Sequence, residues 1–500
     1  MSFFDNLWLG FSVASSPMNL LFCLVGVLTG TLIGVLPGIG PLAAVAMLMP
    51  ITFYLDPVSA LVMLAGIYYG SQYGGSTTSI LVNLPGESSS VVTCLDGYQM
   101  ARKGRAGSAL AAAALGSFFA GCVVTVLIAI ASAPLTSFAF RFRAPDYCAL
   151  ILFGLISSIV LARGSPLKAV AMAFLGILLG TVGTDLNTGQ FRYTFGFFDL
   201  AEGIGFIAIG MGLFGTCEII RNLQQREAER SVMARIERLW PTREDFRLSW
   251  RPVLRGTGIG AVLGILPGGG ALLSSFAAYA LEKKVSKTPE KFGTGMIEGV
   301  AAPEAANNAG AQASFIPMLA LGLPSNALIA MMIGTMMVHG ITPGPRVIMD
   351  QPELYWGLIA SMWIGNLMLV IINLPLIGVW VSLLKVPYRV LYIGIIILCC
   401  VGAYSEENAV FTLYLLAVFS VAGFVFIKLN CEPAPLILGF ILGPMFEQNL
   451  RRSLVLSDGS WGIFVERPIS GVFVAVSAVL VAILLLPAIR RKREVAFQED

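Results

Sequence analysis

Charge is scarce in this sequence. Of its 500 residues 12% are charged and 56% hydrophobic, whereas a soluble domain carries about 25% charged residues. That excludes an ordinary soluble globular protein. Histidine occurs once, and the eight cysteines show no CxxC or Cys/His spacing, so no zinc-type ligand set is present. The cysteines read as small, thiol-state packing residues within apolar segments. Neither HExxH nor GxSxG appears in a suitable context, which leaves an intramembrane enzyme without a catalytic set. The start "MSFFDNLWLGFSVASSPMN" contains no lysine or arginine, so it lacks the basic n-region of a cleaved signal peptide. A net charge of +3 on so long a chain is too small to point to nucleic acid.

What the sequence does contain is long uncharged runs. Nothing ionised lies between Asp5 and Asp56, Gly107 and Phe140, Leu354 and Leu384, or Pro468 and Ile489. A bilayer core needs roughly 20 apolar residues per helix, so the longer runs are expected to hold two spans, or a span plus a re-entrant segment. The reading is an all-α polytopic membrane protein with about 12 membrane segments. Basic residues collect between the runs, in "ARKGRAG" (101–107), in 221–255, in "EKKVSKTPEK" (282–291) and in the tail "RRKRE" (490–494). By the positive-inside bias these are cytoplasmic, and the bare N-terminal flank favours an external N-terminus. The segment 221–255, with nine arginines against five acidic residues, divides the chain into a first transmembrane repeat (1–220), a cytoplasmic basic linker, and a second repeat with C-terminal spans and tail (256–500).

The halves share a motif. "GVLPGIGP" at 34–41 returns as "GILPGGGA" at 264–271, Pro37 falling on Pro267 at an offset of 230. Downstream, "GIYYGSQYGGSTTSILVNLPGES" (66–88) has its counterpart in "PEAANNAGAQASFIPMLALGLPSNA" (303–327), both polar and both ending in Leu-Pro and a small residue. The chain reads as a duplication, with inverted repeats favoured, in which each copy carries two broken or re-entrant helices. Within lipid, irregular backbone survives only where protein buries it or a watery cavity solvates it. Proline ends a hydrogen-bond ladder and glycine permits the turn. Helix halves that start at such breaks point free N–H groups and a positive dipole end into the cavity, which suits an anion. Paired interrupted helices of this kind hold substrate and coupling ion in secondary transporters. Packing by small residues is the alternative reading of any single motif.

The candidate substrate-binding residues follow from the breaks. Pro37, Gly38 and Gly40 belong to the first, Gly268 and Gly270 to the third, and Ser325 and Asn326 to the fourth. The hydroxyl run Ser76, Thr77, Thr78 and Ser79 lies in a stretch uncharged from Pro57 to Gly86. Back-bonding to the preceding turn is its bland alternative. Asn83, Asn307 and Asn308 each offer donors and an acceptor, and a Na⁺, if that is the coupling ion, is expected near Asn307 and Asn308. Interhelical hydrogen bonding would equally explain these asparagines. Glu304 is the candidate ion-coupling acid, because the next charged residue is Arg346 and acids at membrane depth tend to be functional. It could also cap a helix start after Pro303. Glu87 and Glu298 read as loop acids of lower rank, and His339 as an interfacial residue.

"GVLPGIGP", "GIYYGSQYGGSTTSILVNLPGE", "VVTCLDGYQMARKGRAG", "GILPGGGA", "EGVAAPEAANNA" and "LGLPSNALIAMMIGTMMVHGITPGP" closely resemble the large membrane subunit of tripartite tricarboxylate transporters, the TctA-like family. The resemblance implies a multi-pass protein of the bacterial inner membrane. It implies secondary import of a carboxylate such as citrate, driven by a Na⁺ or H⁺ gradient, without a cofactor and without catalysis. It further implies two partners, a small integral membrane subunit (TctB-like) and a periplasmic solute-binding protein (TctC-like). An anion channel, or a carboxylate carrier that works without a binding protein, is the alternative.

Overall fold

The computed structural model describes residues 2–36, 40–162, 165–185, 188–217, 219–220, 239–266, 270–383, 396–397, 399–401, 403–404 and 409–485. Pro37, Gly38 and Gly268, most of the linker 221–255, and the basic tail lie outside the described residues. Among the described residues the architecture is helical, apart from one two-residue antiparallel pair, β1 (Gly183–Thr184) with β2 (Phe191–Arg192).

The first half opens with α1 (Phe3–Ala14), α2 (Pro17–Val35), α3 (Pro41–Thr52) and α4 (Pro57–Val82). Prolines at the first turn start α2, α3 and α4, where the missing N–H costs nothing. A short helical stretch at 88–102 follows, with a π-turn at Cys94–Tyr98. Then come α5 (Ala106–Ala139), α6 (Ala144–Leu161) and α7 (Pro166–Gly180). The uncharged run 107–140 falls almost wholly within this one helix of 34 residues. At 1.5 Å per residue it is ~50 Å long, more than a bilayer core. Pro134 sits inside it without ending it.

The second half repeats the plan with α8 (Arg243–Leu263), α9 (Gly270–Val285), α10 (Glu298–Ala313), α11 (Phe315–Leu321) and α12 (Ala327–Val338). It continues with α13 (Pro352–Asn373), α14 (Val410–Lys428), α15 (Ala434–Leu456) and α16 (Pro468–Leu485). Among the described residues four helices are both long and apolar enough to cross a membrane: α2, the 106–132 part of α5, α13 and α14. α4 has 26 residues but is too polar to count among them. Every residue from Val58 to Leu81 is buried, so α4 meets protein, which can satisfy its hydroxyls and amides.

Glycines show how deep the duplication goes. A Cβ on Gly26, Gly30 or Gly34 of α2 would come within 2.3–2.4 Å of the carbonyl oxygens of Met63, Ile67 and Ser71 of α4. A Cβ on Gly256, Gly260 or Gly264 of α8 would come within 2.3–2.4 Å of those of Ala302, Ala306 and Gly310 of α10. Only glycine allows such an approach, the small-residue packing of membrane helices. In both halves the contacts advance together along both helices, so each pair runs parallel. The long helix of each half then packs on the broken helix of the other. Ser117 and Thr125 of α5 bond Asn308 and Gln312 of α10, while Asn373 of α13 reaches Thr31 of α2. Outside this core, α6, α7, α15 and α16 form a second bundle, in which a Cβ on Gly176 would meet the Leu436 carbonyl at 2.0 Å and one on Gly439 the Ala173 carbonyl at 2.3 Å.

The described parts of three segments read as cytoplasmic, 101–107, 239–255 and 282–291, lie close together. Lys103 Nζ donates to the Thr294 carbonyl at 2.5 Å, Arg105 pairs with Asp245, and Arg255 holds Glu282 through two bonds of 2.6 and 2.7 Å. Buried Asp96, in the π-turn, accepts from the backbone N–H groups of Gly293, Gly295 and Met296 at 2.8–2.9 Å and from the Tyr279 hydroxyl.

Candidate functional site

Each half interrupts its chain twice, and the interruptions touch. Asn83, with φ 57° and ψ 29°, ends α4, and Gly322, with φ 70° and ψ 26°, ends α11. Both occupy the left-handed conformation that closes a helix. They are one offset of 239 apart, as are Pro85 and Pro324, so the second breaks of the two halves share their spacing. In the first half the Thr78 hydroxyl donates to the Val35 carbonyl at 2.7 Å, and a Cβ on Gly86 would meet the Gly34 carbonyl at 2.0 Å. In the second half Ser314 spans the breaks, donating to Gly310 and to the Gly264 carbonyl. Ser314 Oγ in turn accepts from Asn326 Nδ2 at 3.3 Å, and Ser325 donates to the Ser314 carbonyl at 3.3 Å.

All four helix starts beyond the breaks line one cavity of about 190 Å³, far more than the ~10–15 Å³ that a single water requires. Pro41 and Leu42 begin α3, Ser88 and Ser89 begin the 88–102 stretch, Gly270 to Leu272 begin α9, and Asn326 to Leu328 begin α12. Tyr68, Gln72 and Glu87 complete the core side; Ser158, Ala162 and a stretch from Glu432 to Leu438 close it from the second bundle. No lysine or arginine lines the cavity among the described residues.

The sequence-derived residues divide into three groups around this cavity. Gly270 and Asn326 are in its wall, and Gly40 caps α3 beside Pro41 with open space around the position of a Cβ. Gly270 has φ +38°, a turn that an L side chain resists. Asn326 caps α12 by accepting from Ile329 N at 2.9 Å and reaches the Tyr68 hydroxyl at 3.4 Å. Asn307 stands just behind the wall, its Nδ2 donating to Glu87 Oε1 at 3.1 Å.

Ser76, Thr77, Thr78, Asn308, Ser325 and Glu304 form the second group, buried and away from the cavity. Ser76 and Thr77 line a separate space of about 10 Å³, with Tyr73 and Ser117. Glu304 is fully enclosed, accepting from Ser76 and Thr93. It lies two turns into α10, so it caps no helix start; Pro303 precedes it within the helix because α10 begins at Glu298. Asn83 is the third group, exposed and acting as a left-handed helix end.

Glu87, ranked low from sequence as a loop acid, is in the wall. It accepts from Ser89 Oγ at 2.5 Å as well as from Asn307, and Ser89 reaches Gln72 Oε1 at 3.1 Å. A signal for it existed: aligned at offset 239, Leu-Pro-Gly-Glu sits on Leu-Pro-Ser-Asn, so Glu87 and Asn326 are equivalent. Tyr68 and Gln72 carried no signal, since only the approach of α9 and α12 makes them wall residues. Arg192 is occupied elsewhere, bonded to Asp185 at 2.6 Å and Glu447 at 3.0 Å.

The sequence pattern described as "Tripartite tricarboxylate transporter TctA family" matches residues 20–438. An uncharacterized 52.8 kDa protein in the TAR-I ttuC' 3' region of Agrobacterium vitis is 58% identical over 501 residues, covering 100% of both chains. An uncharacterized protein in the TAR-II ttuC' 3' region of the same organism is 53% identical over 241 residues, 48% of this chain and 100% of its own. No solved structure matches this chain.

Proposed function

The chain belongs to the tripartite tricarboxylate transporter TctA family, and from that premise we propose that it is the large subunit of a secondary active importer of tricarboxylate or related organic carboxylate anions. The observation that carries this reading is the convergence of four helix starts on one cavity that no lysine or arginine lines among the described residues. A helix start carries roughly half a positive charge and free N–H donors. Carboxylate groups are held by those donors and by Ser89 and Asn326, with a bound Na⁺ or H⁺ offsetting the remaining charge. Asn307, bonded to Glu87, and Glu304, enclosed by Ser76 and Thr93, stand behind this site.

The two halves work as inverted repeats. Support comes from the order of contacts between equivalent helices: Tyr69 of α4 packs on Phe315, 5.8 Å between ring centroids, whereas Ser76, farther along α4, meets Glu304, earlier in the second half. Equivalent helices therefore run in opposite directions. Proximity of the described basic segments 101–107, 239–255 and 282–291 supports a cytoplasmic face for them in the inner membrane of a bacterium. The cavity lies between the repeat core and the bundle of α6, α7, α15 and α16, which favours an elevator-like movement of one body against the other. A TctB-like small membrane subunit and a TctC-like periplasmic binding protein are its partners.

Uptake of labelled citrate and of a panel of other organic acids tests the function. Proteoliposomes would hold this chain with its small subunit, and the binding protein would be added outside under imposed Na⁺ or H⁺ gradients. Gradient-dependent accumulation that needs the binding protein is the expected result. Flux that needs neither gradient nor binding protein would indicate the channel.

A further inference from the structure

The cavity contains a contradiction that the proposed function must resolve. Its donors suit an anion, yet Glu87 lies in its wall and Glu432 across from it, with no lysine or arginine lining it among the described residues. Like charges at short range repel, the more so as water is excluded on binding. A carboxylate substrate therefore cannot share the cavity with an uncompensated Glu87.

The duplication shows that capping alone does not require this charge. At the equivalent place Asn326 starts its helix with a neutral amide, accepting from Ile329 N at 2.9 Å. The first half uses a carboxylate where the second does not, and surrounds it with oxygen. Gln72 Oε1 and Ser89 Oγ are linked at 3.1 Å, Ser89 Oγ lies 2.5 Å from Glu87 Oε1, and Asn307 Nδ2 lies 3.1 Å from the same atom. Asn307 is 1% exposed, and its Oδ1 has no hydrogen-bond partner. A buried carbonyl oxygen without a partner is costly, and this one belongs to the amide that faces Glu87.

We infer that Glu87, Gln72, Ser89 and Asn307 form a site for one Na⁺, so that Glu87, and not Glu304, carries the charge that couples ion to substrate. A carboxylate, two amide carbonyls and a hydroxyl are the oxygen donors that a hard cation prefers. No cluster of three or more His, Cys, Asp or Glu exists among the described residues, so a divalent ion has no comparable place. Rotation of the Asn307 amide brings Oδ1 toward the ion in place of Nδ2. The ion neutralises Glu87, and the anion then enters a cavity whose remaining character is set by the helix starts. Glu304, enclosed by Ser76 and Thr93, is a positioning residue that ties α4, the 88–102 stretch and α10 together. The other titratable groups facing Glu87 are Tyr68 on α4, Glu304 on α10 and Glu432 before α15.

This inference rests on the proposed function, but its test does not need a substrate. Thermal unfolding of the purified protein in detergent would be followed against NaCl at constant ionic strength with KCl, since a ligand of the native state raises the midpoint. The wild-type protein and the E304Q and E432Q variants should be stabilised by Na⁺ over K⁺. The E87Q variant should lose at least about tenfold in apparent Na⁺ affinity, and N307A should lose affinity while keeping its midpoint in KCl. If E304Q does not fold, T93V, which removes one donor to Glu304, takes its place and should respond like wild type. A Na⁺ response that survives E87Q, one that disappears in E304Q, E432Q or T93V, or stabilisation by acid alone would overturn the assignment. Absence of citrate uptake by a protein that passes this test would count against the transport reading and not against the ion site.

Discussion

Glu87 and Asn326 stand at equivalent points of the two halves, each following Leu-Pro and a small residue and each beginning the helix beyond a break. Around them the halves are alike in a left-handed end at Asn83 and at Gly322, and in three helix-packing glycines on α2 and three on α8. The two halves share this backbone plan but not the charge. Together they supply four similar helix starts, and one half adds an acid to the cavity wall.

The largest expected effect tests the shared plan. Replacing Gly30 or Gly260 by leucine places a side chain within 2.4 Å of a carbonyl oxygen in either half, with no flexible neighbour to give way. Overpacking of this kind costs at least ~1–3 kcal/mol. Both variants should vanish from the monodisperse fraction in size-exclusion chromatography, and one half tolerating leucine would break the equivalence.

Exchanging the unequal residues sharpens the comparison. N326E adds a second carboxylate to the cavity wall, and gradient-driven uptake should fall at least about tenfold, equivalent to ~1.4 kcal/mol, without loss of inserted protein. Unchanged uptake would show that charge in the wall is irrelevant.

A smaller effect is expected behind the wall. T93V removes one of the two hydroxyl donors to Glu304, and a buried acceptor left with less company costs ~1–3 kcal/mol. A lower melting midpoint with a normal uptake KM should result. An altered KM would place Glu304 nearer the substrate than its burial indicates.

The smallest effect lies on the basic face. Burial raises the Asp245 carboxyl, but backbone and hydroxyl bonds from Thr242 and the Arg105 guanidinium outweigh it and hold the group below its ordinary 3.8. A depressed carboxylate stabilises the fold above its unfolded value and loses that contribution as pH falls through the folded value. D245N should therefore cost about 1 kcal/mol at neutral pH, mostly through loss of the charge that faces Arg105 and the first turn of α8. The difference from wild type should close below pH ~3.8, as measured by thermal unfolding across pH.

How much was legible in the sequence depended on range. Both Leu-Pro breaks were readable because proline and glycine act locally on the backbone. The uncharged runs did not show how many helices each holds: 107–140 lies in one long helix, and Pro134 is accommodated within α5. Glu304 stood out as an isolated acid, but isolation along the chain does not tell whether a side chain faces a cavity or Ser76 and Thr93. Tyr68, Gln72, Ser158 and Glu432 became wall residues through packing between distant segments, which no local pattern encodes.

The central claim, that helix starts and not side-chain cations hold the substrate, is tested most directly by cryo-electron microscopy of the protein in nanodiscs with Na⁺ and an acid selected by the uptake panel. The account predicts carboxylate density within hydrogen-bond reach of the backbone N–H groups that begin α3, the 88–102 stretch, α9 and α12. Density held instead by Arg141, Arg143 or Arg192 would contradict it.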